Sequence, residues 1–188
     1  MRLKVLSYND VEQARIWRNE NMSMNRTSYL LTPEMQGEFY QEQVNNRLAN
    51  ARYWGIWLEP QNNDYSNSRK ETIACCSCET FISMGEITSI SNENRNGEIG
   101  LIMHPDYVHI AEKTIELILE QGFDYLNLEN IFGEVYVCSP YLDIWANIAT
   151  KYNAAWCYLP NRKYWNGKYF GSQYFNISRE DWKKCKSI

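Results

Sequence analysis

The sequence predicts one domain of the α/β (α+β) class, residues 1–188, in which a mixed central sheet of about seven strands is flanked by about four helices. The first observation is a helical period in segment 107–126, where apolar positions recur on one face: Ala111, Ile115, Ile118, Leu119, Gly122, Phe123 and Leu126. The second is the apolar run 98–103 directly before it, which is typical of a central strand. The third is composition, since 188 residues with 44% hydrophobic content can form one ordinary core.

The N-terminal half is expected to contain, in order, strand 1–8, helix 10–19, helix 33–49 and strand 52–59. The first strand alternates apolar and polar side chains, and Asn9 is the expected N-cap of the first helix. The second helix starts at Thr32-Pro33-Glu34, which supplies a cap, a proline at the first helical position and an acid in the first turn. Aromatic residues favour a strand over 52–59.

Segment 60–70 is predicted to be a polar, turn-forming insertion. Two apolar runs follow, at 73–82 and 86–90; either fits the third strand, and the sequence leaves the choice open. Asn166-Gly167 predicts a type I′ hairpin turn between the last two strands. The remaining elements are expected to be central strand 97–103, helix 107–126, strand 131–137, helix 143–151 and closing strands 156–159 and 164–177.

Net charge and the N-terminal residues argue against several classes of partner and location. The formal net charge is −4 and the sequence pI is about 5.3. No basic run occurs, which argues against a nucleic acid or an anionic membrane as partner. The N-terminal MRLKVLSYND lacks a continuous apolar stretch, so a cytoplasmic location is the expectation.

Six cysteines include one cluster, Cys75-Cys76-Ser77-Cys78. A metal site usually requires paired cysteines or histidines at matching spacing, and neither histidine has such a partner. In a strand, Cys76 and Cys78 would share a face while Cys75 faces the other way. We therefore expect buried, reduced thiols and no metal.

The junction between segments 97–103 and 107–126 is the expected place for a ligand. A strand that runs directly into a helix leaves the first N–H groups of that helix facing the space beyond the strand end. Such a terminus attracts anions, phosphates above all.

Four pieces of sequence resemble one known family. Residues 98–107 have the pattern E-I-G-x-x-[IM]-x-P-x-Y, and the following helix ends in G-F-x-x-L-x-L-x-x-I. Ile16-Trp17-Arg18-Asn19 and Ser178-Arg-Glu-Asp-Trp182 match near the two termini. In this order they resemble the GCN5-related N-acetyltransferase (GNAT) superfamily, in the branch of ribosomal-protein alanine and amino-sugar N-acetyltransferases.

The resemblance implies an acetyltransferase-like fold whose sheet is split near its centre by the ligand cleft. It implies acetyl-CoA as co-substrate, without a metal, and transfer of an acetyl group to a primary amine. The acceptor would be a peptide N-terminus, an amino sugar or a small metabolite. Backbone N–H groups of Leu101, Ile102 and Met103, where the central strand of the family bulges, are expected to polarise the thioester carbonyl.

Three side chains are candidates for proton transfer. Glu98 occupies a position where related enzymes often carry an acid, and it would relay a proton through water. An outward-facing acid without a role is the alternative. Tyr141 and Tyr152 flank the helix near which a family tyrosine acts as general acid, and core packing is the alternative for Tyr152.

One departure concerns the coenzyme A pyrophosphate. The family binds it with a loop of the form [RQ]-x-x-G-x-[GA], whose glycines let backbone N–H groups close on the phosphates. This chain has Tyr107-Val-His-Ile-Ala-Glu112 instead. Val108, His109, Ile110 and Ala111 are therefore the expected cofactor contacts, with weak or altered binding. His109 either replaces the missing arginine or is exposed and idle. A second cofactor signature of the family, spread over residues 138–142 and 151–154, is also eroded.

These departures leave two alternative functions open. The chain could be a catalytically inactive acetyltransferase-fold module for binding or assembly, or an acyltransferase that uses a donor other than coenzyme A. A homodimer is also left open. Core packing is the default for each aromatic residue of the last hairpin, and a substrate cleft or a dimer contact is the alternative: Trp165, Tyr169, Phe170 and Tyr174.

Overall fold

The computed structural model describes residues 1–60 and 79–186. Within these ranges seven strands form one sheet in the order β1-β2-β3-β4-β5-β7-β6, in which β4 and β5 are parallel and all other neighbours are antiparallel. The strands are β1 Arg2–Lys4, β2 Arg52–Leu58, β3 Thr80–Ser91, β4 Asn96–Met103, β5 Asn130–Tyr136, β6 Ala155–Trp165 and β7 Lys168–Ser178. The predicted fold class and the mixed seven-stranded sheet are confirmed.

Five α-helices accompany the sheet in the described part of the chain, one more than expected: α1 Tyr8–Glu20, α2 Pro33–Phe39, α3 Ala111–Glu120, α4 Leu142–Lys151 and α5 Arg179–Lys186. The extra helix, α5, follows Ser178, whose hydroxyl accepts a hydrogen bond from Asp181 N at 3.1 Å. Short 3₁₀ turns occupy Met22–Met24 and Pro105–Ile110, and π-helical turns Tyr40–Val44 and Gln121–Tyr125. None of the described helices has the length and apolarity needed to cross a membrane.

Several predicted boundaries were wrong. Helix α1 is capped by Ser7 and not by Asn9, because Ser7 and Asp10 form a reciprocal capping box, which shortens the first strand. The second helical segment ends at Val44, short of residue 49. A single strand, β3, covers both the end of run 73–82 and all of run 86–90. Cys75, Cys76 and Cys78 lie outside the described residues, so the expectation of structural thiols stays a prediction.

The core forms where α3 packs on the centre of the sheet. Ile115, Leu119 and Phe123 are completely buried, as the helical period predicts. Gly122 lies so close to β3 and β5 that a Cβ atom there would clash with Ile131 and Ile87. The predicted turn at Asn166-Gly167 is also present, with positive φ at both residues (48° and 80°).

Candidate active site

The sheet opens between β4 and β5. These parallel strands pair only at their amino ends, residues 96–98 with 130–132. Beyond that point β4 remains paired with β3 as far as Met103, and β5 with β7 as far as Tyr136. The strands therefore separate toward their carboxyl ends, where a cavity of about 280 Å³ lies between them. The split near the centre of the sheet is thus where the resemblance implies it.

The separation frees backbone groups of β4. His104 N donates to Ile82 O at 2.9 Å, so this is a hydrogen-bonded pair of the β3–β4 ladder. Pairs alternate in an antiparallel ladder, which directs Ile102 N–H toward β3 and Leu101 and Met103 N–H toward the opening. The expected bulge at 101–103 is absent, because the register runs unbroken through this stretch. The free N–H groups arise from strand separation, and Ile102 does not contribute one.

The wall opposite β4 is formed by α1 and the loop after it. Arg18 comes from α1, and Met24, Asn25, Arg26 and Thr27 come from the loop. The buried Lys163 of β6 fixes this loop, since its Nζ donates to the carbonyl oxygens of Met22 (3.2 Å) and Asn25. The ring of Trp165 stands 5.4 Å from the same ammonium group.

Three carboxylates of the described residues line the cavity, and two of them are held in ion pairs. Glu98, with 13% of its side chain exposed, pairs with Arg26. Glu134, with 6% exposed, accepts hydrogen bonds from Arg162 Nε at 2.9 Å and Ser172 Oγ at 2.6 Å. Burial alone would raise the pKa of Glu134, but these partners hold it below its usual value. Both carboxylates are therefore neutralised by neighbouring guanidinium groups.

The third carboxylate, Glu86, extends from β3 across the neighbouring strand. It is paired in register with Gly100, and a Cβ atom on Gly100 would lie 2.8 Å from Glu86 Cγ. Glycine is what leaves room for this side chain. Burial raises the pKa of Glu86 to about 7, although the charges of Arg26 and Arg18 favour its ionised form. A cavity carboxyl group that ionises near neutral pH is suited to proton transfer.

An apolar hollow adjoins the cavity on the side of α3 and α4. Leu101, Tyr141 and Trp145 line both spaces, and five further residues line the hollow alone: Met103, Val108, Ala111, Ile115 and Ile144. Tyr141 immediately precedes α4, and burial raises the pKa of its hydroxyl. It is thus a neutral proton donor at the junction of the two spaces.

The segment predicted to meet the pyrophosphate contains no left-handed residue. Pro105–Ile110 is a 3₁₀ turn, and all residues from 104 to 111 have negative φ. The exposed His109 has its Nδ1 3.1 Å from Asp106 O, and Ile110 caps α3 without a side-chain hydrogen bond. Val108 and Ala111 contribute to the apolar hollow. A glycine-type phosphate loop is therefore not formed here.

The structure brings Glu98 and Tyr141 to the cavity but not Tyr152. Tyr152 is only 4% exposed and packs against Trp182, with ring centroids 5.1 Å apart. Its pKa is raised by burial, and the nearby carboxylate of Glu116 raises it further. This is the core position that was the alternative for Tyr152, and its catalytic role stays a prediction.

Glu86 and Glu134 were not predicted as site residues from the sequence, and neither Arg18 nor Arg26 had a predicted role. Glu86 did leave a signal, because it is the one acid within the apolar run 81–90. Burying a carboxylate without a partner is costly, so an acid on a strand with a buried pattern is a candidate functional residue. The other three are recognisable only once loop, helix and sheet are assembled.

The order of strands and the opening between β4 and β5 define an acetyltransferase-like fold. No protein-family model matches the sequence, and no curated protein is similar to it in sequence. Solved structures with this fold include spermidine N-acetyltransferases. A point variant of SpeG from Vibrio cholerae matches over 100% of both chains with a TM-score of 0.75 and 17% identity.

The same enzyme in complex with CoA and spermine matches over 97% of both chains, with a TM-score of 0.72 and 18% identity. Its dodecameric form covers 96% of this chain and 95% of its own, with a TM-score of 0.70 and 17% identity. These comparisons show a shared fold over nearly the whole chain.

Proposed function

We propose that this chain is an acyl-CoA-dependent N-acyltransferase, most simply an N-acetyltransferase, that acts on a primary amine. The observation that carries the proposal is the opening between β4 and β5, with N–H groups of Leu101 and Met103 directed into it. Such groups are oriented before the reaction and can stabilise the oxygen of a thioester carbonyl as it gains charge. The neighbouring structures support the proposal, since they carry this fold and are named for acetyl transfer to spermidine, one of them in complex with CoA and spermine.

The residues present fit the pantetheine part of acetyl-CoA better than its pyrophosphate. The free N–H groups of β4 suit the amides of an extended arm, and the hollow beside Tyr141, about 20 Å³ in volume, offers an apolar surface to its methylene groups. The segment 105–110 offers the phosphates only the terminus of α3, worth roughly 0.3–1 kcal/mol per charge. When bound, acetyl-CoA supplies the activated acyl group.

Glu86 is the general base in this proposal. An amine acceptor reaches the cavity as an ammonium ion and must lose a proton before its nitrogen can attack. Glu86 lines the cavity, carries no ion pair within the described residues, and ionises near neutral pH. Glu98 is less suited to this role, because Arg26 already engages its carboxylate. It instead anchors the loop that carries Arg26.

Tyr141 is the general acid. The amine nitrogen forms a bond to the carbonyl carbon, the carbon–sulfur bond breaks, and the departing thiolate takes the proton of the Tyr141 hydroxyl. The nitrogen releases its second proton as the amide forms, and this proton restores the Tyr141 hydroxyl through water. The raised pKa keeps this hydroxyl protonated at neutral pH. Its position between cavity and hollow supports this role, because in this proposal acceptor and thioester meet there.

The finer assignment to the ribosomal-protein or amino-sugar branch rests on the sequence resemblance alone. The neighbours are named for polyamines, so a small-molecule amine is the acceptor we favour. A catalytically inactive binding module has one observation in its favour, the loss of the glycine-type phosphate loop. An inactive module would have the same fold as the proposed enzyme but would form no product.

The test measures binding and turnover separately. A ligand at about 100 times its dissociation constant should stabilise the protein by ~2.7 kcal/mol, which shifts the melting temperature by several degrees. Acetyl-CoA should produce this shift, and mass spectrometry of reactions with a panel of amines should detect an acetylated product. Coenzyme A binding should weaken little between low and high salt, because the phosphates are poorly held. A melting shift without product from any amine would support the inactive module, and no shift at all would contradict the proposal.

A further inference from the structure

The charges of the cavity are balanced before any acceptor enters. Arg26 pairs with Glu98, and Arg162 pairs with Glu134. Arg26 Nη2 also lies 3.8 Å from Glu134 Oε2. These carboxylates are already committed to guanidinium groups, and breaking a largely buried pair leaves an uncompensated charge. They are therefore not available to bind additional ammonium groups.

Arg18 and Glu86 are the charged cavity residues that have no ion pair within the described part of the chain. Within the described residues no carboxylate lies within ion-pair distance of Arg18, whose Nη2 donates to Thr27 Oγ1. Its Nη1 is buried without a hydrogen-bond partner. Glu86 likewise has no ion pair in the described part of the chain, and both side chains line the cavity. A half-buried guanidinium group with unused hydrogen-bonding capacity is suited to a planar anion.

We infer that the acceptor is a primary amine that carries one carboxylate, such as an amino acid, and not a polyamine. The inference rests on the proposed function and specifies the substrate class of the same cavity. The amine faces Glu86, and the carboxylate of the acceptor binds Arg18. A zwitterion keeps the cavity neutral, whereas a polyamine would place several cations beside an unpaired arginine. A phosphate-bearing amine would instead bring two negative charges against a single free guanidinium group.

Matched amines test this assignment. δ-Aminovalerate and cadaverine have similar chains and the same reacting amine, but the far end is a carboxylate in one and an ammonium in the other; pentylamine has neither. Glycine and γ-aminobutyrate sample shorter spacings, and spermidine and ethanolamine phosphate represent the competing classes. With acetyl-CoA in excess, we expect kcat/KM for the best carboxylate-bearing amine to exceed that of cadaverine and pentylamine by about 10-fold or more. Preference for spermidine or ethanolamine phosphate would overturn the inference.

Arg18→Gln should bring that ratio close to one, mainly by raising KM for the carboxylate-bearing amines. Arg18→Lys should restore part of it, and Arg47→Gln, at an exposed site outside the cavity, is the matched control. Melting temperatures with the amines alone give a second readout that needs no acetyl-CoA. A carboxylate-bearing amine should stabilise the wild type but not Arg18→Gln, and no such difference would overturn the inference.

The two proposals fail in different ways. Acetyl-CoA binding and turnover with cadaverine preferred would overturn the acceptor class and leave the N-acyltransferase intact. Stabilisation by carboxylate-bearing amines that depends on Arg18, without acetyl-CoA binding or product, would overturn the N-acyltransferase and retain the anion site.

Discussion

Replacing Glu86 by glutamine should remove activity and, at neutral pH and above, stabilise the protein. Glu86 is partly buried at the wall of the cavity, and burial raises its pKa from 4.5 to about 7. Below pH 4.5 the carboxyl group is protonated in both the folded and the unfolded chain. Between pH 4.5 and 7 the unfolded chain releases the proton first, so the free energy of unfolding falls as pH rises. Above pH 7 the carboxylate is ionised in the folded state, which then carries the full cost of burying this charge. Glutamine at position 86 avoids that cost.

The magnitude follows from the same pKa. A proton held about 300-fold more tightly by the folded state corresponds to ~3 kcal/mol. Part of the Glu86 side chain is accessible from the cavity, and water there will moderate the penalty, so this is an upper bound. For a chain of this length, ~3 kcal/mol would raise the melting temperature by roughly 6–12 °C.

The assay is a set of melting curves of wild type and Glu86→Gln from pH 4 to 8.5. The difference in melting temperature should be small near pH 4, grow through pH 5–7 and then level off. Glu42→Gln, which changes an exposed carboxylate at the end of the second helical segment, should give a small difference at every pH. In the same samples, the rise of kcat/KM near pH 7 should be lost with Glu86→Gln. A difference that does not vary with pH would refute the buried, near-neutral carboxyl group.

Three further changes test the rest of the site and core. Gly100→Ala should displace the Glu86 carboxylate and lower kcat by at least ~10-fold. The fold should survive, because the added Cβ atom meets the end of a flexible side chain. Gly37→Ala is the control, since a Cβ atom there has room. Tyr141→Phe should lower kcat by roughly 10²–10⁴-fold without weakening acetyl-CoA binding, and equal loss of both would argue for a packing role instead. Leu119→Asp buries a charge in the core and should prevent cooperative melting; a soluble, cooperatively melting variant would contradict the placement of α3.

The fold was predictable because its signals are local and repeated. The helical period of segment 107–126 and the strand before it depend on spacing alone, and both are present in the structure. The first residue of a helix was less predictable where two neighbouring residues are both suitable N-caps. Ser7 and Asn9 are both good caps, and only the reciprocal contact of Ser7 with Asp10 decides between them. The final helix α5 has only eight residues, and Trp182 is its one buried residue, so it offers too few apolar positions to show a helical period.

Site residues were predictable only where they lie next to a helix or strand that the sequence itself reveals. Glu98 and Tyr141 lie next to recognisable elements and do reach the cavity. The charge balance depends on pairs that are distant in sequence, such as Arg26 with Glu98 and Arg162 with Glu134. No spacing rule brings these residues together, because they lie on a loop and three different strands. Sequence patterns therefore located the cavity but not the acid that we expect to accept the proton.

The altered phosphate segment and the intact cleft have separate physical origins. A glycine-type loop requires positive φ angles, which the residues of segment 107–112 do not adopt, so that contact is lost with the glycines. The N–H groups of Leu101 and Met103 depend only on where β5 stops pairing with β4, and any side chain allows that. Loss of the first feature therefore does not entail loss of the second. A chain can hold the coenzyme weakly through its phosphates and still present a preorganised site to the thioester.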